Sequence, residues 1–157
     1  MKYWNPYKAW KRKHLSSEED LAEMLRLFEA DEPVVGGGDT ETNGLHIKKA
    51  KPFLIIFGWL VPGEKFGRVF TFEPEDEYME TFFRCAKQLK GFVWWNTKYD
   101  LHMMTNIGWE YTHPNLIEGI ALARVVVEAI PARAGGDSMA LKDIGAAYVH
   151  PEANAAE

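Results

Sequence analysis

From Ser17 onward the apolar residues fall on helical spacing: Leu21, Met24, Leu25 and Phe28 follow i, i+3, i+4, i+7, and serine is a favoured helix cap. The period then changes. Residues 33–41 begin Pro33-Val34-Val35 and run through three glycines, reading as a first strand. Residues 53–61 read as a second strand broken at Gly58, Pro62-Gly63 as a turn, and residues 68–72 as a third strand. Three strands joined by short links predict an antiparallel meander. Helical spacing returns over 75–89, with Tyr78, Phe82, Ala86 and Leu89 facing inward. Phe92-Val93-Trp94-Trp95 then starts a fourth strand over 92–96. Its crossover helix makes it parallel to its sheet partner, taken to be the first strand. Helices are expected at 98–107, 116–127 and 138–147, with a loop at 131–136.

Polar residues gather where two of these strands stop. Asp39-Thr40-Glu41 closes the first strand, and Thr42-Asn43-Gly44-Leu45 turns away from it, Asn-Gly being a pair that readily accepts positive φ. Residues i and i+2 of a strand share a face at roughly 6.6 Å of rise. Two carboxylates there repel each other unless a cation lies between them. A hairpin carrying two solvated acids is the plainer reading. Asn96-Thr97-Lys98-Tyr99-Asp100 follows the fourth strand and puts Asp100 in the early turns of a helix, where an acid also complements the helix dipole. Ligands commonly bind at strand ends of α/β sheets, so the two clusters together favour a shared site.

The two blocks resemble the first and second motifs of the DEDD 3′–5′ exonucleases, in particular the proofreading domain of bacteriophage-like family A DNA polymerases. Asp39-Thr40-Glu41-Thr42-Asn43-Gly44-Leu45 is similar to the D-x-E-T-x-x-L block, and Asn96-Thr97-Lys98-Tyr99-Asp100 to N-x-K-[YF]-D. The likeness continues at Leu116-Ile117-Glu118-Gly119, where Glu118 stands in the place of a usual Asp, and at Leu141-Lys142-Asp143-Ile144-Gly145. It spans residues 33–151. The implied architecture is α/β, a ribonuclease H-like fold: antiparallel meander, crossover helix, parallel fourth strand and flanking helices. The family's third motif, Tyr-x-x-x-Asp or His-x-x-x-x-Asp, supplies a fourth carboxylate and a general base. Tyr148-Val149-His150-Pro151-Glu152 is similarly spelled, but Pro151 argues against a continuous helix there. The domain is therefore expected to be incomplete at its C-terminus, a front portion or one piece of a split protein.

The resemblance implies phosphodiester hydrolysis with two ions, Mg²⁺ or Mn²⁺, about 4 Å apart and held by Asp39, Glu41 and Asp100. It further implies that Asn96 contacts the scissile backbone, Leu45 wedges against terminal bases, and Thr42 offers its main chain to the 3′ hydroxyl. Tyr99 lies beside the metal acid, with core packing as an alternative. The implied substrate is the 3′ end of single-stranded DNA. The implied partners are the remainder of a DNA polymerase, or a second chain supplying the missing motif. Weak or absent activity of this chain by itself is the matching expectation. A non-catalytic nucleic-acid-binding or assembly module of the same fold is the alternative.

Bulk properties narrow the picture only a little. With 157 residues and 46% hydrophobic composition, the chain is long and apolar enough for one folded domain. No apolar run is long enough for a membrane span, and the first residues lack a signal-peptide core. One cysteine, Cys85, excludes an internal disulfide and fits a reducing cytoplasm, the host's if the chain is phage-encoded. The net charge is −5, yet residues 1–15 hold Lys2, Lys8, Lys11, Arg12 and Lys13 and no acid, interleaved with Tyr3, Trp4, Tyr7 and Trp10. The chain thus divides into a basic aromatic arm over 1–16 and an exonuclease-like domain over 17–157. The arm either contacts phosphates and bases or is pinned to the domain by its aromatics, packing being preferred. Gly36-Gly37-Gly38 lacks the Gly-Lys-Ser/Thr of a phosphate loop, and five histidines show no zinc spacing.

Overall fold

The computed structural model describes residues 11–112 and 115–122. The expectations placed on residues 1–10, on the loop at 131–136, on the helix at 138–147 and on residues 148–152 lie outside those residues. In chain order the elements are β1 (Lys11–His14), α1 (Glu18–Asp31), β2 (Val35–Thr42), β3 (Pro52–Leu60), β4 (Gly67–Phe72), α2 (Asp76–Gln88), β5 (Gly91–Trp94), α3 (Thr97–Asn106) and β6 (Leu116–Glu118). They build a six-stranded sheet in the order β1-β4-β3-β2-β5-β6.

Connection length sets strand direction. The links between β2, β3 and β4 are too short for a crossover, and both pairs are antiparallel. Helix α2 carries the chain across to β5, which lies parallel to β2 with Gly38 opposite Trp94. This register is the main geometric fact of the molecule. It places the end of β5, and hence the start of α3, beside the Asp39–Thr42 end of β2. Gly38 permits the approach, since a Cβ there would lie 2.9 Å from the Trp94 ring.

One face of the sheet is packed and the other is open among the described residues. Ile55, Phe57 and Trp59 alternate inward on β3 and join Phe70 and Phe72 of β4 and Phe92 and Trp94 of β5. Leu21, Met24 and Phe28 of α1, Met79 and Phe82 of α2, and Met104 of α3 cover them. Phe82 is the hub, with ring centroids 5.3 Å from Phe57, 5.2 Å from Phe83 and 5.9 Å from Phe92. Asp31 at the end of α1 accepts hydrogen bonds from the Arg68 guanidinium and from Trp59 Nε1, locking that helix to β3 and β4. The strand order and helix layer are those of the expected ribonuclease H-like fold.

Two local expectations need correction. Residues 116–118 are a strand, and helix begins only at Gly119. The cause is tertiary: the free edge of β5 pairs Leu116, Ile117 and Glu118 with Phe92, Val93 and Trp94. Gly58 does not break β3, because Gly37 and Val69 flank it in register on either side. On α2 the expected inward face holds, Tyr78 packing half-buried against the core, and Met79 joins it fully buried. Lys11–His14 forms an edge strand parallel to β4, and Lys13 reaches Asp20 and Glu23 of α1.

Candidate metal centre

Asp39 and Glu41 project from the last turns of pleat in β2, opposite Ile56 and Leu54 of β3, and a bulge follows between Glu41 and Thr42. Both acids are exposed. Thr40, between them, points to the other side and is buried. Its Oγ1 donates to Asp100 Oδ1 at 2.7 Å, so the first turn of α3 is fastened to the strand bearing the other two acids.

Electrostatics follow from this placement. Asp100 is 3% exposed, and burial pushes its carboxyl up to about 7; the charge of Asp39 adds to the rise, while the Thr40 hydroxyl opposes it. Asp39 reaches solvent but is partly desolvated by surrounding protein, which lifts its carboxyl, and Glu41 pushes the same way against the Thr40 N–H. Among the described residues no lysine or arginine offsets these two acids. Asp39 thus sits electrostatically between Glu41 and Asp100. Carboxylate oxygens are hard donors of the kind that a divalent ion such as Mg²⁺ or Mn²⁺ takes. The side chains do not close into a cage: among the described residues no three His, Cys, Asp or Glu groups converge at metal-binding distance.

The neighbouring residues divide into committed and uncommitted groups. Asn96 is the N-cap residue of α3, yet its side chain makes no capping bond and is exposed at the same sheet end. Glu118 performs the capping instead. Its Oε2 accepts from Thr97 N at 2.9 Å, and its Oε1 from Ile120 N at 3.1 Å, so one carboxylate on β6 holds two successive helix starts. Sequence reasoning noted Glu118 only as an acid near the site; its position just before a glycine that opens a helix was the available signal. Tyr99 neither packs inward nor stands free. Its hydroxyl donates to Gly44 O at 2.8 Å and lies 2.8 Å from Thr42 Oγ1, tying the turn after β2 to α3. Leu45, 86% exposed, stands at the tip of that turn. His46 is exposed, and His102 lines a groove with Lys98 and Glu118.

A mixed six-stranded sheet with a helix layer on one face, with Asp39 and Glu41 at the end of β2 and Asp100 at the start of α3, has the ribonuclease H-like α/β architecture. No family model matches the sequence, and no curated protein matches it. Solved structures do. Brucella melitensis NrnC with bound Mg²⁺ superposes with a TM-score of 0.52 at 14% identity, over 88% of this chain and 59% of that one. The same protein is known bound to pGG. Escherichia coli RNase D, an exoribonuclease involved in structured RNA processing, gives 0.58 at 16% identity, over 88% of this chain and 33% of that one. The catalytic core of RRP6 from Trypanosoma brucei gives 0.55 at 11% identity, over 90% and 41%. The chain therefore spans well under two thirds of each of these proteins. At such identities the likeness establishes the fold.

Proposed function

We propose that this chain is a metal-dependent 3′–5′ exonuclease domain. One observation carries the reading: Thr40, between Asp39 and Glu41 on β2, donates at 2.7 Å to the buried carboxyl of Asp100, 60 residues further along, which fastens the segments bearing all three acids at one end of the sheet. Asp39, Glu41 and Asp100 would hold the ions. A divalent ion bound there supplies Lewis acidity and a stronger nucleophile from water. The chain's own residues do the rest. The uncommitted amide of Asn96 would meet a phosphate oxygen, and Leu45 the terminal bases. Thr42 would offer its main chain to the 3′ hydroxyl. Tyr99 acts on substrate through the turn it holds.

The spelling of the two motifs supports a finer reading, the proofreading domain of a DNA polymerase acting on single-stranded DNA 3′ ends. In that reading a further segment or a second chain brings the fourth carboxylate and the base. The likeness to RNase D, an exoribonuclease, favours a second reading in which RNA is the substrate. Digestion of 5′-labelled single-stranded DNA and RNA with Mg²⁺ or Mn²⁺ decides between them. Shortening from the 3′ end is expected, and Asp39→Asn should lower it more than a hundredfold, since even the outer partners of metal ligands cost about 10–100-fold. Preference for RNA would install the second reading. Shortening that Asp39→Asn leaves intact would remove the proposed site.

A further inference from the structure

The loop between β2 and β3 has a composition unlike the rest of the chain. No acid occurs between Glu41 and Glu64, although the net charge is −5. Within that interval Lys48, Lys49 and Lys51 are exposed, and none of them forms an ion pair among the described residues. Ile47 and Phe53, 45% and 56% exposed, stand among these lysines. Large apolar groups left in water beside unpaired cations mark a contact surface rather than a solvated turn.

The loop is also a built platform. Asn43 closes its base, donating N–H to Lys51 O at 3.1 Å and accepting Lys51 N–H at its Oδ1 at 2.8 Å. Lys49 N and Ala50 N both donate to His46 O, making a tight turn. Two side chains of α3 fasten it along the helix: Tyr99 to Gly44 O, and Asn106 Nδ2 to Ile47 O at 2.7 Å and Ala50 O at 2.8 Å. Tyr99 and Asn106 lie seven residues apart on one helix face, a rise of roughly 10 Å. These bonds fix the backbone that carries the three lysines against one side of α3.

We infer that residues 46–53 are a docking platform for single-stranded nucleic acid, with Lys48, Lys49 and Lys51 on successive phosphates and Phe53 and Ile47 against bases. Charge complementarity selects this occupant. Phosphates repeat along a strand as the lysines do along the loop, and exposed rings stack on bases of any sequence. The inference rests on the proposed nuclease reading and extends it to a surface beyond the acids.

The test is fluorescence anisotropy of a short labelled oligothymidylate in Ca²⁺ across a salt series, alongside cleavage in Mg²⁺. The triple variant Lys48→Gln, Lys49→Gln, Lys51→Gln should bind about tenfold more weakly or worse. Its log–log salt slope should flatten by about 2, because each single-strand phosphate contact contributes about 0.7. The corresponding triple Arg variant should keep both. Phe53→Ala should weaken binding without changing the slope. Lys87→Gln with Lys90→Gln, at the opposite end of the sheet, should change neither; equal loss there overturns the inference. So does cleavage by the native chain with no measurable binding, or with binding that the triple Gln variant retains or the triple Arg variant lacks; the nuclease reading then survives. Binding without cleavage, lost in the triple Gln variant, supports the platform and removes the nuclease reading. Neither binding nor cleavage overturns both. Thermal melts of each variant separate these results from misfolding.

Discussion

Asp100 is a carboxyl placed where water scarcely reaches, and its chemistry is set by that position. Its ordinary value of 3.8 rises to about 7 in the fold through burial first and Asp39 second. Between those values the folded chain binds more protons than the unfolded one, so stability is full near pH 4 and falls as pH rises through about 7. The cost above pH 7 is on the order of 4 kcal/mol for the metal-free protein. Asp100→Asn removes the charge and should flatten this slope in EDTA, measured by urea unfolding at several pH values. Added Mg²⁺ or Mn²⁺ should restabilise the native chain at pH 8 and leave the Asn variant unmoved. A native chain whose stability does not fall across this window would show that Asp100 is hydrated in solution.

At the scale of elements, α3 matters most because it carries Asn96, Tyr99 and Asp100. Its start is fixed by Glu118, a residue on a strand only three residues long. Glu118→Gln should cost about 1 kcal/mol, the usual worth of a charged cap, and Glu118→Ala about as much or more. The check is chemical denaturation, together with faster amide exchange in the first turn of α3. Unchanged exchange in that turn would mean the carboxylate is not its anchor. The strand itself was illegible in the sequence. Leu116-Ile117-Glu118 is too short to show a period, and its conformation comes from the backbone groups of β5 waiting beside it. The longer elements were legible because each has enough residues to declare its repeat, as in α1 and β3.

Over the whole molecule, α1, α2 and α3 all cover the same sheet face, around Phe82. Phe82→Ala should destabilise the fold by about 3–5 kcal/mol, since no neighbouring ring can fill the space. A much smaller change in urea unfolding would mean that the aromatic cluster repacks. The opposite face bears Ile56, Leu60, Val69, Val93 and Trp95 around a glycine floor, in a groove of about 390 Å³. No helix of the described residues is long and apolar enough to cross a membrane.

Sequence alone determined the run of elements from α1 to α3, the antiparallel meander, the parallel return beside β2 and the clustering of acids at strand ends. Those follow from periodicity, link length and turn chemistry, all of which act over a few neighbouring residues. Tertiary structure alone decided that Thr40 grips Asp100, that Tyr99 holds the turn at Gly44, that Glu118 rather than Asn96 caps α3, and that Lys11–His14 and Leu116–Glu118 become edge strands. Each of these depends on a hydrogen-bonding partner far away along the chain, and no local pattern announces such a partner.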